Sequence, residues 1–176
     1  GLVRGRLPER MSPRRSIVLA SRNHGKLREL RALLAPLSLD VLSLDEAGAP
    51  DLVVVEDGAT FEANAEKKAR EAARATTMIA LADDSGLEVD ALDGRPGVRS
   101  ARFAHEHATD AENNAALLAA LEGTPDAERA ARFRCVLCVV DPWRPDGEAI
   151  FVRGVCEGRI TRAPAGQAGF GYDPLF

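Results

Sequence analysis

Nothing in this sequence is long and apolar enough to cross a bilayer: no run approaches the roughly 20 residues a spanning helix needs. The leading GLVRGRLPERMSPRRS is basic but lacks the apolar stretch of a secretory leader. It reads as a disordered extension over residues 1–15, with Met11 a candidate start, and the chain reads as cytoplasmic. Cysteine is sparse as well. Three cysteines, an odd number, argue against a disulfide framework and fit a reducing compartment. Cys135 and Cys138 form a C-x-x-C, but within ARFRCVLCVV, a strand by its pattern, positions three apart face opposite sides of a sheet. Two such side chains cannot share one metal, so core packing is expected. Lysine is as rare. Among Lys and Arg, every residue other than Lys26, Lys67 and Lys68 is arginine. That bias suggests a use where lysine is kept, such as a compact ammonium against a phosphate oxygen. For Lys67 a solvated helix face suffices.

What is present is an ordinary globular mixture. The 176 residues are 45% hydrophobic and 28% charged, enough for one domain with a sizeable core. The net charge of -4 gives no overall field to draw anions, so any phosphate site must be local. The basic arm is short and free of aromatics, weak ground for a nucleic-acid partner, and neither stable nucleic acid nor membrane is expected.

SIVLA (16–20) reads as a buried strand, and a polar turn leads from it into a helix with Leu27, Leu30, Leu33 and Leu34 at helical spacing, stopped by Pro36. LDVLSL (39–44) and DLVVVE (51–56) read as strands. Thr60 can cap a second helix that turns Phe61, Ala65, Ala69 and Ala72 inward. TMIALA (77–82) reads as a strand ending at Asp83-Asp84, LEVDAL (87–92) as another, and 93–97 as a turn. Thr109 and Glu112 spell a capping box for a third helix carrying Leu117, Leu118 and Leu121, with Gly123 just past its end. ARFRCVLCVV and EAIFVRGV are strands joined through DPWRPDG. The pattern predicts one α/β domain with a mixed sheet.

Polar clusters fall at the strand and loop ends, where open α/β sheets bind ligands. The first is Ser21-Arg22-Asn23-His24-Gly25-Lys26. A helix starting near Asn23 would turn free N–H groups and its positive dipole end toward an anion, with Lys26 one turn in. The turn lacks the first glycine of a P-loop, and His24 suits the surface better than catalysis. Glu56 and Asp84, brought together by neighbouring strands, would suit Mg²⁺, which takes one or two carboxylates plus waters and phosphates. A phosphate binder beside such carboxylates suggests hydrolysis of a phosphate ester or anhydride. For Asp57 and Glu62 a solvated turn is the plainer reading. In PAGQAGFGYDP (164–174) the glycines let the backbone approach a flat ligand, Phe170 and Tyr172 offer rings, and Asp173 offers an acceptor for a base N–H. A tight turn with a core aromatic explains that cluster alone equally well.

In order along residues 16–176, the segments SRNHGKLREL, EDGATFEANAEKKA, ALADDSGLEVDAL, GVRSARFA, ATDAENN, ARFRCVL and ITRAPAGQAGFGYDP resemble the inosine/xanthosine triphosphate pyrophosphatase family. Members hydrolyse non-standard purine nucleoside triphosphates to the monophosphate and pyrophosphate. The resemblance implies an elongated mixed β-sheet flanked by helices, with two lobes around a substrate cleft, in a homodimer. It assigns the triphosphate to Ser21, Asn23 and Lys26, with Arg22, His24 and Gly25 in the same turn and Lys68 nearby. It gives Mg²⁺ to Glu56 and Asp84 and makes Asp84 the proton acceptor for the attacking water, supported by Asp83. Ser85 would contact substrate, and Phe170, Gly171, Tyr172 and Asp173 would hold the base. Two departures stand. Ala63 replaces the Glu that many members carry before the helix Asn, here Asn64. The sequence also stops at Phe176, where members continue through a strand and a helix bearing a Lys and a Ser-His-Arg motif. A domain truncated at its C-terminus is therefore expected over 16–176, and a nucleotide-binding remnant without turnover is the rival reading. An acceptor such as Asp173 at N1–H would reject adenine, whereas guanine shares the 6-oxo and N1–H groups.

Overall fold

The computed structural model describes residues 15–166 and 169–176. The extension expected over 1–15 lies outside the described residues except for Arg15, which opens the first strand. Among those residues one open sheet has the order β2-β1-β3-β4-β5. Its strands are β1 (Arg15–Leu19), β2 (Leu39–Leu42), β3 (Ala80–Val89), β4 (Ala130–Val140) and β5 (Ala149–Arg159). β1 runs parallel to both β2 and β3, while β3, β4 and β5 are antiparallel, which makes the sheet mixed as expected.

The helices start where their capping residues predict. Asn23 caps α1 (His24–Leu34), the Thr60 hydroxyl accepts the Ala63 N–H at 3.1 Å to cap α2 (Phe61–Thr76), and the Thr109–Glu112 box opens α3 (Asp110–Ala120). Their apolar faces divide the sheet. On one face of β3, α1 buries Leu27 against Leu19, Val41 and Leu81, and α3 buries Leu117 and Leu121 against Leu87 and Val89. On the opposite face α2 packs Ala65, Ala69 and Ala72 over Val18, Ala80 and Ala82. Two separate cores therefore lie end to end along one face of a long strand, and the polar stretch Asp83-Asp84-Ser85 is the seam between them.

Two expected strands come out differently. DLVVVE (51–56) forms no strand. Val53 and Val55 stand exposed, and the segment is strapped down by arginines instead of a ladder: Arg22 donates to the Pro50 and Leu52 carbonyls, and Arg102 donates to the Glu56 carbonyl at 2.8 Å. The run of three valines imitates a strand, but it has no strand to pair with among the described residues. The second difference concerns Asp83-Asp84, which was expected at a strand end. β3 runs straight through to Val89, because β4 supplies a continuous ladder from Ala80↔Val140 to Val89↔Ala131. Tertiary pairing overrides the poor strand propensity of Asp and Gly.

The intact strand still creates an end. β1 pairs with β3 at Val18↔Ala80 and Leu19↔Leu81, and β3 then continues beyond it. Its edge on that side meets no strand until the isolated bridge Glu88↔Pro96. Gly86 serves this stretch by having no side chain. A Cβ there would lie 2.5 Å from both the Gly97 carbonyl oxygen and the Ser100 Oγ, so only glycine lets the 3-10 turn Gly97–Arg102 approach. Ser100 Oγ accepts the Leu87 N–H at 2.9 Å and donates to the Gly97 carbonyl at 2.7 Å.

Candidate active site

Alternation along β3 sends Asp83 and Asp84 to opposite faces. Asp83 shares its side with Leu81 and Leu87, in the gap between the α1 core and the α3 core, and its register partner is Leu137. There its carboxylate forms an ion pair with Lys26 Nζ from the first turn of α1. The expectation that Asp83 supports Asp84 is thus corrected: the pleat directs Asp83 to Lys26. Ser85, exposed on the same side, faces Cys135 across the ladder.

Asp84 points to the α2 side and is 7% exposed. Its Oδ2 accepts a hydrogen bond from Asn64 Nδ2 at 3.0 Å, and its Oδ1 accepts the Ser85 N–H at 3.0 Å. Asn64 is itself fixed, since its Oδ1 accepts the Gly58 N–H at 2.7 Å. Burial pushes the Asp84 carboxyl above the usual value of 3.8. Lys68 opposes that shift most, with help from Asn64 and Ser85, while Glu56 reinforces it. Lys68 Nζ lies 3.2 Å from Glu56 Oε1, so Glu56, Lys68 and Asp84 form one electrostatic group at the start of α2. Lys67 leaves this group and pairs with Asp57 at 2.7 Å. All three lysines thus sit on acids around one site.

The N-terminus of α1 differs in detail from its expected form. Its N–H groups are not all free: Asn23 Oδ1 accepts from Gly25 at 2.9 Å and from Lys26 at 3.2 Å, and Ser21 Oγ accepts from Asn23 at 3.1 Å. The dipole end and the ammonium remain as the attraction for an anion. Arg22 is spent on the Pro50 and Leu52 carbonyls, and His24 is exposed.

The Gly-rich cluster lies beside α3. Phe170 exposes its ring, whereas Tyr172 is buried in the α3 core and donates its hydroxyl to the Ser100 carbonyl at 2.7 Å. Burial, with Asp110 adding, pushes the Tyr172 hydroxyl above the ordinary phenolic range. Asp173 Oδ2 accepts the Phe170 N–H at 3.0 Å. The turn Gly97–Arg102 links the two ends of the gap, reaching Glu56 through Arg102 and Tyr172 through Ser100.

The sequence reading passed over Asn64, Arg102, Asp110 and Asn114. Asn64 had a signal: it falls three residues after Phe61 and four before Lys68, on the inner face of an otherwise alanine-lined helix. The others act through backbone carbonyls and amides distant in sequence, which no spacing announces.

Asp84 and Glu56, whose charges act on each other, are the two acids here that could share a divalent cation. Among the described residues no set of three or more His, Cys, Asp or Glu converges. Two carboxylates completed by waters and phosphate oxygens are a donor set Mg²⁺ accepts. The C-x-x-C carries no such role: Cys138 lies in the α2 core with its thiol pushed up to about 11 by burial, and Cys135 projects from the opposite face.

Set beside known proteins, residues 17–176 match the sequence profile of the Ham1 family. A protein from Desulforamulus reducens named dITP/XTP pyrophosphatase is 53% identical, over 91% of this chain and 78% of its own length. One of the same name from Geobacter sulfurreducens is 52% identical over the same shares. Among solved structures, a HAM1 protein from Coxiella burnetii superposes with a TM-score of 0.83 at 45% identity, covering 92% of this chain and 81% of that one. A nucleoside-triphosphatase / dITP/XTP pyrophosphatase from Mycobacterium abscessus gives a TM-score of 0.77 at 46% identity, covering 92% and 80%. No helix among the described residues is long and apolar enough to cross a membrane.

Proposed function

The chain belongs to the Ham1 family, and on that premise we propose that it is a nucleoside triphosphate pyrophosphatase that cleanses the nucleotide pool. Its substrates are non-standard purine nucleoside triphosphates such as dITP, ITP and XTP, cleaved to the monophosphate and pyrophosphate with Mg²⁺. One observation carries the reading: Asp84, a buried carboxylate with raised proton affinity, stands beside Glu56 and Lys68 where β3 outruns β1. A carboxylate so placed suits proton abstraction from water near neutral pH.

In this reading the triphosphate lies in the gap between α1 and α3. Lys26, released from or shared with Asp83, takes phosphate oxygens at the α1 dipole end, and Ser21 and Asn23 line the same turn. Asn64 and the Ser85 N–H hold the Asp84 carboxylate in one orientation, so that it receives the proton of a water attacking the phosphorus. Glu56 and Asp84 would hold Mg²⁺, which when bound would neutralise charge on the phosphates. Phe170 stacks on the base and Asp173 accepts its N–H. The proposal is completed by a homodimer and by a cytoplasmic location, the latter fitting three cysteines that are all free thiols.

The test is pyrophosphate release. With ITP and Mg²⁺ the purified chain should liberate inosine monophosphate and pyrophosphate, an excess of chelator should abolish the reaction, and added Mg²⁺ should restore it. Nucleotide binding without release would leave the reading without turnover, and full activity in chelator would remove the metal from the mechanism.

A further inference from the structure

Both backbone polar groups of Gly171 are gripped by α3. Its N–H donates to Asp110 Oδ2 at 2.8 Å, and its carbonyl accepts from Asn114 Nδ2 at 2.9 Å. Asp110 and Asn114 stand four residues apart, on one face of the helix. Asp110 is the first residue of α3 and adjoins the Thr109–Glu112 capping box, whose reciprocal bonds of 2.7 and 3.2 Å fix the start of the helix. Gly171 takes φ +59°, a conformation that costs glycine little, so the residue follows these two anchors without strain. Each neighbour is tied as well. Phe170 donates its N–H to Asp173, Tyr172 donates its hydroxyl to Ser100, and at Gly169 a Cβ would collide with the Asp173 carboxylate. The loop is irregular in shape yet fixed in backbone, and it ends in one large exposed ring, Phe170 at 62%. Exposing a ring from a backbone held so fully makes sense where the ring must keep one orientation.

We propose that Asp110 and Asn114 are positioning residues that make α3 the setting element of the base subsite, fixing the tilt of the Phe170 ring and the placement of the Asp173 carboxylate through Gly171. The proposal rests on the assignment of the base to Phe170–Asp173. Preorganisation of this kind strengthens binding of the nucleobase and leaves binding of the phosphates, at the α1 wall, untouched.

Two ligands separate these effects: an inosine triphosphate analogue with nitrogen in the α–β bridge, and inorganic tripolyphosphate, which carries the phosphates without a base. Their dissociation constants are measured by calorimetry in Mg²⁺ for the parent, Asp110→Ala, Asp110→Asn and Asn114→Asp. Asp110→Ala removes the acceptor, and Asn114→Asp puts an oxygen against the Gly171 carbonyl. Each should weaken the nucleotide analogue about 3- to 10-fold, as loss of one hydrogen bond does, with tripolyphosphate unchanged. Asp110→Asn, which keeps an acceptor oxygen, should recover most of the loss. Unchanged nucleotide affinity in both variants, or an equal weakening of both ligands, overturns the role of α3. A parent that binds tripolyphosphate as tightly as the nucleotide analogue overturns the base subsite itself.

Discussion

One peptide bond separates Asp83 from Asp84, and the two faces of β3 give them different work. On the α1 face, Asp83 is paired at once with Lys26, so its charge is matched. On the α2 face, Asp84 has neutral Asn64 as its side-chain hydrogen-bond partner, an ammonium shared with Glu56, and a raised proton affinity. The difference shows how a strand can carry recognition and chemistry a single residue apart. The pleat keeps Lys26 on Asp83 and away from Asp84, and the early end of β1 leaves the edge of β3 between the two faces without a strand partner among the described residues.

The sharpest way to break this comparison is Asp84→Asn. The change keeps shape but removes the proton acceptor, and turnover of ITP should fall by about 10² to 10⁴ while binding changes modestly. Stability should move the other way. Because burial raises the Asp84 pKa in the fold, the stability this group contributes is fully present below its unfolded value of 3.8. It is lost as pH rises through the higher folded value. Asn cannot ionise, so in chelator the variant should melt above the parent at pH 8, and the gap should close as the pH falls toward 4. A variant that melts lower at pH 8 would contradict the buried charge.

Next comes Asn64→Ala, which frees the Asp84 oxygen and orphans the Gly58 N–H. Loss of an orienting partner should lower kcat about 10- to 100-fold, and Asn64→Ala added to Asp84→Asn should cost little more, because both act on one carboxylate. Smallest is Asp83→Asn. It loosens Lys26 and should raise KM for ITP about tenfold, roughly the worth of one charged hydrogen bond, while kcat stays near the parent. A larger fall in kcat from Asp83→Asn than from Asp84→Asn would reverse the two faces.

How much of this was legible before the structure depends on the reach of each interaction. The caps Thr60, Thr109 and Glu112 were readable because a cap bonds within four residues of itself. The Asp-Asp-Ser-Gly stretch was readable as a site, yet its placement was not. Whether Asp83 ends a strand depends on β4, some fifty residues later in the chain, and no local preference records that ladder. The valines of 51–56 misled in the opposite sense: their strand-like composition is real, but the Leu52 and Glu56 carbonyls are taken by two arginine side chains. Tyr172 and Phe170 looked equivalent beside their glycines, and packing against α3 and Ser100 separates them.

The distribution of amines has a practical consequence. Each lysine of the chain pairs with an acid, Lys26 with Asp83 and Lys68 with Glu56 on the two sides of the candidate site, and Lys67 with the exposed Asp57 next to it. Under the proposed function, reagents that acylate or reductively alkylate ε-amines should report on the cleft through Lys26 and Lys68, and nucleotide should shield those two. By the same logic, coupling the protein to a sensor surface through its lysines would fasten it by its mouth. The exposed thiol of Cys156, on strand β5, offers a handle that leaves the cleft open.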